Sequence, residues 1–155
     1  MDKKKIGLIA GIVIFIILLI AITVIYNKGI GNQEELVDEA VDIGVLRIND
    51  SNFSSEMLNT DKIVVLDFYE NMCPPCTSMV PTIIKIAKLG DKVKVGMINI
   101  SDSDTKNLAQ RYDVSATPTI VILKDEKIVK TFIGATSEET IMEVINNLME
   151  KENEE

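Results

Sequence analysis

Two cysteines, Cys73 and Cys76, are the residues whose type and spacing indicate chemistry in this sequence. With two residues between them in the first turn of a helix, their sulfur atoms lie close enough to form a small disulfide ring, and such a dithiol exchanges electrons with other thiols. A structural disulfide or half of a zinc site is the alternative. A zinc site needs four ligands, however, and the chain has no histidine and no further cysteine. The pair therefore predicts a redox-active disulfide and no metal.

The segment before the cysteines predicts which sulfur reacts first. Residues 63–69 form an apolar, β-branched run typical of a buried strand, and Cys73 follows it after a short turn. A cysteine where a strand turns into a helix lies among unpaired N–H groups at the positive end of the helix dipole, which favours the thiolate. Cys73 is therefore the predicted nucleophile. Pro74 and Pro75 suit the first helical turn, and Cys76 keeps an N–H group that can donate toward the Cys73 sulfur.

This segment resembles the active site of thioredoxin-fold oxidoreductases, and the resemblance covers residues 45–150. The matching features beyond the cysteines are a buried acid, a proline within the following helix, a cis-proline loop, a glycine after the last strand and an aromatic residue in an early helix: Asp67, Pro81, Ala116-Thr117-Pro118-Thr119, Gly134 and Phe53. The resemblance implies an α/β thioredoxin fold, in which helices flank both faces of a mixed central β-sheet. It also implies a thiol-disulfide oxidoreductase that needs no cofactor.

By the same resemblance, Cys73 forms a mixed disulfide with a protein substrate and Cys76 resolves it. Asp67 is expected to accept the Cys76 proton through water. Because Asp67 lies in an otherwise apolar strand, burial should raise its pKa, although a strand-end acid that reaches solvent is the alternative. The Thr117-Pro118 bond is expected to be cis, with the Thr117 backbone pairing with an extended substrate segment.

Departures from the usual thioredoxin pattern bear on specificity and direction. Met72 and Pro74 stand where tryptophan and glycine are usual, and Met97 stands where a lysine near the buried acid is usual. Met72, Pro74 and Pro75 are candidate substrate contacts beside the disulfide. Tyr69 is a further candidate, and a core role is the alternative for both Met72 and Tyr69. The lack of a histidine between the cysteines favours a reductase. The alternatives are an oxidase or isomerase, and a non-catalytic module that binds a metal or a partner.

The N-terminal part of the chain predicts a membrane anchor. After a basic segment at residues 1–5, Ile6–Tyr26 contains no charged residue and is long enough as a helix to cross a bilayer core of about 30 Å. The three lysines at positions 3–5 place the N-terminus in the cytoplasm by the positive-inside rule, so the reactive domain lies outside. A signal peptide cleaved near Ala21 is the alternative. This interpretation makes the protein a single-pass protein of the cell membrane.

The remaining sequence predicts the order of the elements. Residues 27–44 form a linker, with a solvated spacer helix at 33–43, and residues 151–155 form a frayed acidic tail. Within the domain at 45–150, strands are expected at 45–48, 63–69, 93–100, 119–123 and 128–133, with helices near 51–58, 73–89, 102–112 and 137–149.

Charge limits the choice of partners. Of 16 basic and 24 acidic residues, four basic and one acidic lie in the first thirty, so the rest of the chain carries a net charge of −11. This charge argues against nucleic acid as a partner. The expected partners are protein disulfides, lipid around Ile6–Tyr26 and, for a reductase, a membrane protein that supplies electrons.

Overall fold

The computed structural model describes residues 3–152, with side chains described at positions 11–25 and 33–151. The chain divides into two compact units, Met1–Glu34 and Glu35–Glu155. Its first helix, α1, spans Lys3–Asp42. In the described part of the chain, no helix combines the length and the apolar character needed to cross a membrane.

The predicted anchor Ile6–Tyr26 falls only partly within the described residues. The side chains of residues 6–10 and 26 lie outside them, as do those of the basic segment at 1–5 and the linker at 27–32. The side chains at 11–25 are uncharged and exposed. The membrane anchor therefore stays a prediction.

A five-stranded mixed sheet forms the centre of the second unit. Its strands lie in the order β1-β3-β2-β4-β5. Strand β3 pairs in parallel with both β1 and β2, whereas β4 pairs antiparallel with β2 and β5. Their bounds are Leu46–Arg47 for β1, Ile63–Tyr69 for β2, Val93–Asn99 for β3, Thr119–Lys124 for β4 and Lys127–Ile133 for β5.

Helices cover both faces of this sheet, as the resemblance predicts. The remaining helices are α2 (Phe53–Met57), α3 (Pro74–Ala87), α4 (Lys106–Arg111) and α5 (Glu138–Glu152). Residues of α3, α5 and the end of α1 pack on one face, which we call the α3-side core. Residues of α2 and α4 pack on the other face, the α2-side core.

Strand β2 contributes to both cores because its side chains alternate between the two faces. Ile63 and Val65 belong to the α3-side core, whereas Leu66 and Phe68 belong to the α2-side core. All seven residues of the strand are buried. This burial on both faces explains why the strand is a continuous apolar run rather than an alternating one.

The end of α1 corrects one prediction. The sequence predicts a solvated spacer helix at residues 33–43, and the segment is helical, but Val37 is 3% exposed and Ala40 is fully buried. Both side chains lie in the α3-side core. The acidic residues between them face solvent while a narrow apolar stripe packs on the domain, so this turn belongs to the folded unit.

The other predicted elements are present, with boundary differences of a few residues. The helix predicted to reach residue 89 ends at Ala87, as α3, and Gly90, with a φ of +67°, begins a short 3-10 turn at Gly90–Lys92. Helix α5 continues to Glu152, so the predicted frayed tail begins within the helix. Residues 153–155 lie outside the described residues.

Candidate functional site

The two cysteines form a disulfide at the start of α3. Cys73 is the N-cap residue, with φ −106° and ψ 96°, and Pro74 and Pro75 follow as the first helical residues. The Cα atoms of Cys73 and Cys76 are 5.2 Å apart. The Cys76 N–H donates to the Cys73 sulfur over 3.2 Å, as the sequence predicts. The Cys73 sulfur therefore accepts a backbone donor at the positive end of a helix, the environment that stabilises a thiolate.

The two sulfur-bearing residues differ in exposure. Cys73 is 7% exposed and Cys76 is 2% exposed. Pro74 and Pro75, which lie between them, are exposed, so the rim of the disulfide faces solvent. An external thiol or disulfide therefore reaches Cys73 more readily than Cys76, which agrees with the predicted order of reaction.

The loop between β2 and α3 is held by the end of β3. The Ile100 N–H donates to the Tyr69 carbonyl over 2.8 Å, and the Asn71 N–H donates to the Ser101 hydroxyl over 3.2 Å. The Asn99 side-chain amide also donates to the Asn71 side-chain carbonyl. These bonds position Cys73, two residues further on.

Two other sequence candidates in this loop lie in different environments. Met72 is 70% exposed and has a φ of +56°, a left-handed conformation that few non-glycine residues adopt. Its apolar side chain therefore remains available beside Cys73. Tyr69 is buried in the α3-side core, which makes it a packing residue.

A cis peptide bond between Thr117 and Pro118 lies against the disulfide. The Thr117 hydroxyl oxygen is 3.9 Å from the Cys73 sulfur. The Gly134 N–H donates to the Pro118 carbonyl over 2.7 Å, and Gly134 has a φ of +85°, which ties the start of β4 to the end of β5. The structure thus brings Thr117 and Pro118, forty-odd residues away in sequence, to the cysteines.

Glu70 is a residue of this site that the sequence analysis missed. The Thr117 hydroxyl donates to the Glu70 carboxylate over 2.6 Å. An acid in the loop before the cysteines gives no sequence signal of this contact, because the contact depends on a loop 47 residues away.

Asp67 lies within β2, on the same face as Val65 and Tyr69. That face belongs to the α3-side core, which also contains both cysteines. Asp67 is 1% exposed, and within the described residues neither of its carboxyl oxygens has a hydrogen-bond partner. Its neighbours in register are Met97 on β3 and Ile120 on β4.

Burial raises the pKa of Asp67 from its ordinary value of 3.8 to about 7, because water that would solvate the charge is excluded. The expectation of a raised pKa is therefore confirmed, and the alternative of a solvent-exposed strand-end acid is wrong. A methionine beside Asp67 offers no positive charge that would lower the pKa again. This carboxyl can take up or release a proton near neutral pH.

We expect Asp67 to make the stability of the protein depend on pH. Between about pH 4 and pH 7 the folded protein holds a proton on Asp67 that the unfolded chain has released, so stability falls as the pH rises through this range. Relative to the Asp67→Asn variant, the free energy of unfolding of the wild type should drop by up to roughly 4 kcal/mol over this range. Urea unfolding of both oxidised proteins at several pH values measures this difference.

The matched control is Asp61→Asn, which removes an exposed carboxylate from a turn. Its unfolding free energy should follow that of the wild type at every pH. Parallel curves for the wild type and Asp67→Asn would contradict the argument.

Comparison with known proteins places the chain in a family. The sequence model of the thioredoxin family matches residues 44–147. The thioredoxin of Bacillus subtilis (strain 168) is 29% identical over 105 residues, which are 67% of this chain and 97% of that protein. The thioredoxin of Rickettsia prowazekii (strain Madrid E) is 36% identical over 103 residues, 66% of this chain and 96% of that protein. The thioredoxin of Porphyra purpurea is 32% identical over 105 residues, 67% of this chain and 96% of that protein. The chain belongs to the thioredoxin family of thiol-disulfide oxidoreductases.

Proposed function

We propose that this oxidoreductase is anchored in a membrane by residues 6–26 and reduces protein disulfides outside the cytoplasm. The observation that carries the activity is the placement of the Cys73–Cys76 disulfide at the start of α3, against the cis Thr117-Pro118 bond, with Cys73 the more exposed cysteine. Disulfides persist outside the cytoplasm, so a tethered dithiol has substrates there.

The reaction begins with the reduced protein. The Cys73 thiolate attacks one sulfur of a substrate disulfide, the substrate S–S bond breaks, and the leaving sulfur takes up a proton. Cys76 then loses its proton and attacks the Cys73 sulfur, which releases the second substrate thiol. Two electrons pass to the substrate, and the protein is left with the Cys73–Cys76 disulfide.

Asp67 serves as the proton acceptor for Cys76 in this scheme. The carboxyl is buried in the core that contains both cysteines, and its pKa of about 7 lets it hold or release a proton at neutral pH. Any water molecule that relays the proton would also satisfy the carboxyl oxygens, which have no partner among the described residues.

The substrate segment binds around the rim of the disulfide. Met72, Pro74 and Pro75 supply exposed, largely apolar surface on one side. On the other side, Thr117 and Pro118 present the backbone of the cis-proline loop, with which an extended segment pairs through main-chain hydrogen bonds.

The cysteine variants test the activity. Cys76→Ser should form a stable mixed disulfide with a reducible protein such as insulin, because nothing resolves the intermediate, and Cys73→Ser should form none. Both should lose turnover with dithiothreitol as electron source. Non-reducing electrophoresis and mass spectrometry identify the adduct and the cysteine that carries it. Turnover that survives in both variants would contradict the mechanism, as would stoichiometric Cu(I) binding by a wild type that shows no turnover.

The sequence around Cys73 supports the proposal of a reductase. Pro74 and Pro75 bring neither a charge nor a donor to the thiolate, and the segment from Tyr69 to Cys76 contains no basic residue. The segment therefore lacks the histidine or other basic side chain that stabilises the thiolate in strong oxidases, which favours a dithiol that donates electrons. A membrane protein with an exchangeable dithiol would supply its electrons.

We therefore expect a reduction potential near the reducing end of the family, about −270 mV, rather than about −120 mV. Equilibration of the protein with dithiothreitol or glutathione mixtures, followed by trapping of free thiols, gives this value. A potential at the oxidising end would reject the reductase and favour an oxidase that donates its disulfide to exported proteins.

Anchoring is supported by the charge-free segment Ile6–Tyr26 and by the exposure of its described apolar side chains. Fifteen consecutive uncharged, exposed positions at 11–25 would be costly in water and are compatible with lipid.

Cell fractionation and labelling test the anchor and its orientation together. The full chain should remain with membranes after a carbonate wash, and Cys73 of the reduced protein should react in intact cells with a membrane-impermeant maleimide. A variant without residues 2–26 should be soluble and unlabelled until lysis. A full chain in the soluble fraction, or one labelled only after lysis, would contradict the proposed location.

A further inference from the structure

One hydroxyl group lies between a carboxylate and the reactive sulfur. The Thr117 hydroxyl oxygen is 2.6 Å from a Glu70 carboxylate oxygen and 3.9 Å from the Cys73 sulfur. Thr117 is half-buried in the cis-proline loop, and Glu70 is exposed in the loop before α3. The three residues come from two loops that the fold brings together at the disulfide.

A hydroxyl carries one proton and can donate it to only one acceptor at a time. The bond to Glu70 is short and has a charged acceptor, and both properties strengthen it. The contact with the sulfur is much longer. Because the carboxylate is the closer and stronger of the two acceptors, the Thr117 proton goes to Glu70 in preference to the Cys73 sulfur.

We propose that Glu70 is a positioning residue that acts through Thr117 to set the redox equilibrium of the Cys73–Cys76 pair. By holding the hydroxyl proton, Glu70 keeps a donor away from the Cys73 sulfur. Its charge adds to the negative potential there. Glu70 acts on the balance between disulfide and dithiol, so its role is the same for either direction of electron flow.

The consequence appears when the disulfide is reduced by glutathione. Two glutathione thiols form one glutathione disulfide and pass two electrons and two protons to the protein, which gives Cys73 and Cys76 as thiols. Cys73 then releases a proton to solvent to the extent that its thiolate is stable. A thiolate is a strong acceptor, and a hydroxyl free to donate to it would stabilise the reduced state. Glu70 withholds this donor and so favours the disulfide.

The Glu70→Gln variant tests the proposal. A neutral amide oxygen is a weaker acceptor than a thiolate, so the Thr117 hydroxyl becomes free to turn to Cys73. Because Glu70 is exposed and water competes for it, we expect a moderate effect. The equilibrium constant for reduction by glutathione, measured at about pH 8 where the thiolate forms, should rise about fivefold, or about 20 mV in potential.

A double-mutant cycle separates the action through Thr117 from a direct effect of charge. Thr117→Val keeps the shape of the side chain but removes the hydroxyl. In the Thr117→Val background, Glu70→Gln should change the equilibrium constant by less than about twofold. A change of similar size in both backgrounds would mean that Glu70 acts by charge alone and would overturn the proposal.

A second readout and a charge control complete the experiment. Cys73 is the more exposed cysteine, so the rate of its alkylation by iodoacetamide should also rise several-fold in Glu70→Gln and not in the double variant. The matched control is Glu139→Gln, which removes an exposed acid at the start of α5 and should leave the constant within about twofold. An unchanged constant and alkylation rate in Glu70→Gln would reject the role of Glu70.

Discussion

Burial of strand β2 on both faces is the constraint on which the rest of the domain depends. Strand β2 has helices on each side and hydrogen-bonded strands along both edges, and all seven of its side chains are buried. Any group at its end is therefore held by the whole sheet. The loop after Tyr69 connects this strand directly to Cys73, the N-cap residue of α3, which has a defined backbone conformation. The position of the reactive sulfur is therefore set by a strand that is paired along both edges and buried on both faces.

The same burial raises the pKa of Asp67 and lowers the stability of the folded protein at neutral pH. A carboxyl in this strand has no hydrogen-bond partner among the described residues, and its pKa rises to about 7. In an exposed position it would remain ionised and could not exchange a proton at neutral pH. The buried carboxyl thus lowers the stability of the protein in the neutral range, and in the proposed mechanism the same carboxyl accepts the proton of Cys76. Met97 stands where a neighbouring lysine is usual. The positive charge of a lysine would lower the pKa of Asp67 and lessen the loss of stability.

The features that could be predicted from the sequence are local ones. The apolar run of β2, the two prolines after Cys73 and the helix predicted at 137–149 each depend on neighbouring residues, and all three elements are present. The cis conformation at Pro118 followed from the family resemblance rather than from physics, since an X-Pro bond is usually trans. The burial of Val37 was missed because acidic residues surround it and only its contacts in the tertiary structure distinguish it from a solvated helix. The Glu70–Thr117 bond was missed because it joins distant loops.

Two acids with opposite environments thus act on one dithiol. Asp67 is buried, and exclusion of water keeps its proton until about neutral pH. Glu70 is exposed and acts on Cys73 through the hydroxyl of Thr117, whose proton it accepts. Within the motif, the Cys76 N–H at the start of α3 donates to the Cys73 sulfur. The helix terminus stabilises the Cys73 thiolate and keeps it reactive. The nearby Glu70 disfavours the thiolate and so favours the disulfide. In the proposed reductase mechanism, such a dithiol receives electrons from a stronger donor and passes them on to substrate disulfides.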